Sequence, residues 1–190
     1  MTRLLPVTSA LLLLAVGIAP AEAQRRGAAK KPEPAAAASG MPGGGQATLV
    51  ATFNDWSAYT AQSGKAKICY ALSQPKSRTP ANLKDTPAYL FVSFRPAENV
   101  RNEVATVLGF DTKETGAAEA AIGSTSYALV TKGKNGWIKN PAEEGQAIAT
   151  MSKGQAVVVT ATSARGNKTG DRYSLAGFAQ ALDRAKKECP

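Results

Sequence analysis

AKICYALS (66–73) is the stretch on which the reading of this chain turns. Strict alternation predicts a strand with Ile68, Tyr70 and Leu72 on one face and Cys69 and Ala71 on the other. Bulk on both faces suits a strand inside a packed sheet better than one at an edge. Cys69 has one counterpart in the whole sequence, Cys189 in KKECP (186–190), and what the two do depends on where the chain resides.

The N-terminus, MTRLLPVTSALLLLAVGIAPAEAQRR, answers that. Arg3 supplies a positive start, Leu11 to Ile18 a short apolar run, and Ala21-Glu22-Ala23 a small-residue cleavage site, so a signal peptide (1–23) is expected to end at Ala23 and leave Gln24 as the mature terminus. A membrane anchor is the alternative, but a span needs about 20 apolar residues and Gly17 and Pro20 break this run. The expected location is the periplasm or cell envelope. In an oxidising compartment two Cys are most simply one disulfide, Cys69 to Cys189, with free or intermolecularly paired thiols as the alternative.

After the signal, residues 24–46 (QRRGAAKKPEPAAAASGMPGGGQ) offer almost nothing to bury and read as a disordered, basic, Ala/Pro/Gly-rich tether. Residues 47–190 are long enough for a single core and read as one domain. The chain carries a formal net charge of +9. Such a charge favours an anionic envelope component, whether phosphate-bearing lipid, acidic glycan or peptidoglycan, or an acidic protein partner, with peripheral contact to the membrane. Nucleic acid is a poor partner for an exported protein. Arg25, Arg26, Lys30 and Lys31 of the tether are the first candidates for such contact.

Within the domain, ATLVATF (47–53), DWSAYTA (55–61), AYLFVSFR (88–95) and NEVATVLGF (102–110) add strands to the one already read. TSYALVTK (125–132) and WIKN (137–140) read as a hairpin across GKNG (133–136), and AVVVTATSAR (156–165) with DRYSL (171–175) as another. QPKSRTPANLKDTP (74–87) reads as a polar loop. Asn140-Pro141 starts a helix that stops at Gly154, with Ala147, Ile148 and Met151 inward. A second helix, capped by Ser174, runs through LAGFAQALDRAKKE with Leu175, Phe178, Ala179, Leu182 and Ala185 on one stripe. The expected fold is therefore mainly β: a β-sandwich of antiparallel strands with one or two short helices, including a C-terminal helix that Cys189 would pin to the sheet.

Chemistry is sparse. The chain has no histidine, which removes the commonest general base and most metal sites, and two Cys alone cannot fill a zinc shell. GMPGGG (40–45) has neither a strand before it nor a helix after it, so it is no phosphate loop, and no cofactor or metal is expected. Glu143-Glu144 point in different directions on a helix and complement its dipole. The hairpin tip gathers Lys132, Lys134, Lys139 and Trp137, a cation-plus-aromatic set suited to a glycan or lipid headgroup. The alternative there is a core Trp137 with lysines decorating a turn.

FNDWSAY, KICYALSQPK, AYLFVSFRPAENVRNEVATVLGF, WIKNPAEEGQAIATMSKG and VVVTATSARGNKTGDRYSLAGFAQALDRAKKEC together resemble the invasion-associated locus B family of proteobacterial envelope proteins, over roughly residues 52–189. The resemblance implies a secreted β-sandwich without established enzymatic activity, associated in some pathogens with entry into host cells. Many members carry a further Cys shortly after the Trp. This chain has Tyr59 and Thr60 there and lacks a second bridge. The function expected is a non-enzymatic binding or interaction protein of the envelope. The alternative is a cell-wall or glycan-acting enzyme, marked by two Asp or Glu side chains about 5 to 10 Å apart in one cleft.

Overall fold

The computed structural model describes residues 46–190. The signal peptide, Ala23, Gln24 and the basic tether residues Arg25, Arg26, Lys30 and Lys31 lie outside the described residues. Three strands open the domain as an antiparallel meander: β1 (Thr48–Phe53), β2 (Trp56–Ser63) and β3 (Ala66–Ser73). The turns between them fall at Asn54 (φ 49) and Gly64 (φ 60), residue types that enter the left-handed region at little cost. The pattern in β3 is as alternation predicts, because Cys69 and Ala71 enter the main core while Ile68, Tyr70 and Leu72 form a second cluster on the opposite face.

The polar stretch after β3 contains a strand that its composition conceals. Ser77–Thr79 forms β4, an edge strand bonded to a partner far along the chain. Next come β5 (Tyr89–Arg95) and β6 (Val100–Val107), paired to each other and, through β5, to β3. A second strand not expected, β7 (Glu119–Ile122), is Ala-rich and weak in β propensity. It is held between two stronger neighbours, β8 (Thr125–Lys132) and the later strand β10 (Ala156–Thr162).

The expected hairpin joins β8 to β9 (Asn135–Ile138) through a turn at Gly133-Lys134. Strand β8 divides its pairing: Thr125–Ala128 bond β7, whereas Leu129–Lys132 bond β9. That split makes β8 a corner. Among the described residues, the two layers of the sandwich are therefore one continuous antiparallel ladder of eleven strands, completed by β10 (Ala156–Thr162) and β11 (Lys168–Ser174). Trp56, Leu90, Val92 and Val104 from one half share a single core with Ile122, Tyr127, Val157, Val159 and Tyr173 from the other.

Two helices complete this core. Asn140 accepts a bond from the Ala142 amide at 3.2 Å and Pro141 opens a short 3-10 turn, after which α1 (Glu144–Lys153) buries Ala147 and Met151. The C-terminal helix α2 (Phe178–Glu188) starts later than its sequence suggests. Ser174 accepts from the Ala176 amide in a turn, and Gly177 at φ 89 precedes the first helical residue. A Cβ at Gly177 would run into the carbonyl of Phe53, so only glycine lets the helix come this close to β1. The buried stripe shifts accordingly to Phe178, Ala181 and Ala185, and Ala179 is exposed. Phe178 meets Trp56 edge-on with ring centroids 4.7 Å apart, and the Trp56 indole donates to the Ser174 carbonyl at 2.8 Å.

Candidate functional site

Cys69 and Cys189 are joined in a disulfide, with Cα atoms 5.9 Å apart and 120 positions between them in sequence. Both are buried, so the bond pins the end of α2 to β3 and offers no thiol for chemistry. At the hairpin, pairing of Lys132 with Asn135 and of Val130 with Trp137 puts Lys132, Trp137 and, by alternation, Lys139 on one face of the sheet. Lys134 sits in the turn, whose backbone is tied down by bonds from Leu108 and Thr112. All three lysines are exposed, while Trp137 is half-buried against the second apolar cluster.

A site that sequence reading did not assemble lies where α1 ends against β7, β10 and β11: an open cleft of about 790 Å³. Gly154 makes it, since a side chain there would meet Ile122 at 2.8 Å and Leu175 at 3.0 Å and push the helix end away. Gln146, Thr150 and Lys153 line it from α1, Ser124 and Thr125 from the β7–β8 turn, and Gln155 and Arg172 from the far side. Its two charged groups, Lys153 and Arg172, are both basic and exposed. The hydroxyls of Thr150 and Tyr127 bond at 2.8 Å and fix that wall. Arg172 sits in β11, paired with Val158 and Ser77. Only the turn Gly-containing segment around Gly166 separates β10 from β11, and Arg165 and Lys168 are exposed there.

On the face of β11 opposite Arg172 lies a buried ion pair. Arg78 and Asp171 have side chains 3% and 1% exposed, and the guanidinium bonds both carboxylate oxygens at 2.7 and 2.8 Å. Arg78 also donates to the carbonyls of Thr86 at 2.6 Å and Leu108 at 2.8 Å. Burial pushes the Asp171 carboxyl above its ordinary pKa, and Arg78 opposes that push. With every guanidinium arm engaged, this pair ties the loop after β4 to β11 and has no free face for a ligand.

Two further carboxylates, Glu103 and Glu144, stand near each other outside the cleft. Glu144 is raised above its ordinary pKa, first by burial and in part by the charge of Glu103. Glu103 is clamped by Arg95 at 2.7 and 2.9 Å, and Arg95 is held further protonated by Glu103 and Glu98. Neither Glu103 nor Glu144 lines the cleft, whose walls carry no carboxylate. Among the described residues, no three His, Cys, Asp or Glu side chains group as metal ligands, and no helix is long and apolar enough to cross a membrane. The arrangement can hold an anion by charge and by hydroxyl and amide donors. It lacks the paired acid and base of glycoside hydrolysis.

Comparison with known proteins agrees with this architecture. A search of curated proteins finds no match. The crystal structure of invasion associated protein B from Bartonella henselae superposes with a TM-score of 0.55 at 16% identity, covering 74% of this chain and 98% of that one, which shows a shared fold. Residues 56–186, well over half the chain, match the family described as Invasion associated locus B (IalB) protein, and they span every strand from β2 to β11 and most of α2. The chain therefore belongs to the IalB family.

Proposed function

We propose that the mature chain is an exported, non-enzymatic protein of the periplasm or envelope that binds an acidic envelope component. The cleft between α1 and β11 carries this reading: Lys153 and Arg172 are the charged groups of its lining, and Gln146, Gln155, Ser124, Thr125 and Thr150 add neutral donors. Such a lining attracts an anionic glycan or phosphate group and has no carboxylate to cleave it. The net charge of +9 steers the whole molecule toward the same kind of surface, with Arg25, Arg26, Lys30 and Lys31 as a second, diffuse contact and Lys132, Lys134, Trp137 and Lys139 as a third. The invasion association in the family's name becomes, for this chain, contact with a host or bacterial surface through these same groups.

The test is retention of the chain beginning at Gln24 on isolated envelopes over a salt series, read by sedimentation. Lys153→Ala/Arg172→Ala and the four-fold Ala variant of the tether cations should each release protein at lower salt than the parent, because exposed charges are screened within about 10 Å at 0.1 M. Retention that is indifferent to salt, or identical for all three proteins, overturns the reading.

A further inference from the structure

The cleft between α1 and β11 holds more than a lone phosphate. Its volume of about 790 Å³ falls among sites that take a whole small molecule, roughly 300–1,000 Å³. Part of its lining is apolar, and a phosphate would gain nothing from that part. Register sets Ala121, Val158 and Arg172 side by side across β7, β10 and β11, so small aliphatic groups run for two strand spacings, about 10 Å, and end at Arg172. Ala156 extends this patch along β10.

The two cations of the lining are not neutralised. Lys153 and Arg172 are exposed, and among the described residues neither forms an ion pair, whereas Arg78, Arg95, Arg184, Lys67 and Lys76 all do. The cleft also takes in the C-terminal end of α1, which is the negative end of a helix. Of the last four carbonyls of α1, those of Thr150 and Met151 share the Gly154 amide, and those of Ser152 and Lys153 have no intrahelical donor. A compact, multiply charged anion is repelled there. A ligand with one carboxylate among several hydroxyls is not, because its hydroxyls donate to carbonyls while its carboxylate meets the cations. The Gln146 and Gln155 amides and the Ser124 and Thr125 hydroxyls each donate and accept. They match hydroxyls, which also do both, whereas a phosphate uses only their donors.

We propose that the cleft binds an acidic glycan through its carboxylated sugars, uronic acids. This rests on the reading of the cleft as an anion site and narrows that reading from any acidic envelope component to one chemistry. The C–H face of one ring lies on Ala121, Val158 and Ala156, and its carboxylate takes the forked guanidinium of Arg172. Lys153, a point charge on the other wall, attracts the carboxylate of a neighbouring sugar. Gln146 and Gln155 bond ring hydroxyls. The cleft is open, so the glycan chain can continue beyond it at both ends.

The test is titration calorimetry of the chain beginning at Gln24, at low salt, with four probes: trigalacturonate, its methyl ester, capped triglutamate and inorganic phosphate. Trigalacturonate should bind, one molecule per chain. The ester keeps rings and hydroxyls but loses the charge, and triglutamate keeps the charge on a flexible chain without rings, so each should bind at least about tenfold more weakly. Phosphate should give no measurable heat. Lys153→Ala and Arg172→Ala should each weaken trigalacturonate by up to about fivefold. Ala149→Trp, which adds bulk at an exposed position of the cleft wall, should abolish binding with circular dichroism unchanged. Equal binding of the ester or of triglutamate overturns the proposal, and so does trigalacturonate binding that all three variants leave intact. Binding of phosphate without trigalacturonate overturns it while leaving the wider anion reading standing. Salt-indifferent retention on envelopes, by contrast, removes that wider reading and this proposal together.

Discussion

Removing the Cys69–Cys189 bond by the double change Cys69→Ala/Cys189→Ala should cost a large part of the fold's stability without moving the fold. The bridge closes 120 positions of chain. In the chain-entropy treatment a loop of that size restricts the unfolded ensemble by about 5 kcal/mol at 25 °C, against a total of about 5–15 kcal/mol for a typical domain. The native state should be nearly unchanged, because Phe178, Ala181 and Ala185 stay buried and the Trp56 indole keeps its bond to Ser174. Urea unfolding of parent and variant, followed by far-UV circular dichroism and Trp fluorescence, measures the difference. The midpoint should fall by the equivalent of 3–5 kcal/mol, and the slope should rise as the freed unfolded chain exposes more surface. A loss below about 1 kcal/mol would refute the entropic argument. So would rapid hydrogen exchange confined to α2 in the variant, which would mean that the bond acts by holding the native helix down.

Three further outcomes follow from particular contacts. Arg78→Ala leaves the Asp171 carboxylate buried without its partner and should cost about 3–5 kcal/mol in the same assay, whereas Arg78→Met with Asp171→Leu should recover most of it. Gly177→Ala forces a side chain into both a left-handed backbone and the Phe53 carbonyl, so thermal unfolding should show a loss larger than the ~1 kcal/mol of the backbone term alone. Glu188 is held below its ordinary pKa by Arg184 and then Lys67, and Asp55 below its own by Lys76. A lowered native pKa contributes stability above the ordinary carboxylate pKa, about 4.3 for Glu, and loses it as pH falls through the native value. The melting temperature of the parent should therefore exceed that of Glu188→Gln at neutral pH, and the gap should close in acid. A gap that persists unchanged at the acid end would mean the carboxylate charge is not its source.

Much of this protein is legible along the chain because the relevant physics is local. Alternation in AKICYALS, the Asn140-Pro141 start of α1 and the composition of the last helix each depend on neighbours within one turn or one strand, and they yield the antiparallel architecture and the bridge between its only two cysteines. Strands β4 and β7 were not legible, since three polar residues and an Ala-rich tetrad become strands through their bonds to β11 and β10. The start of α2 was misplaced because a close approach to Phe53, not a capping side chain, sets it. The corner in β8, the Arg78–Asp171 pair 93 positions apart and the cleft that brings Lys153 beside Arg172 were decided by the tertiary structure alone. Each requires two distant segments to meet, and the free energy of that meeting comes from burial and pairing that no single segment carries within itself.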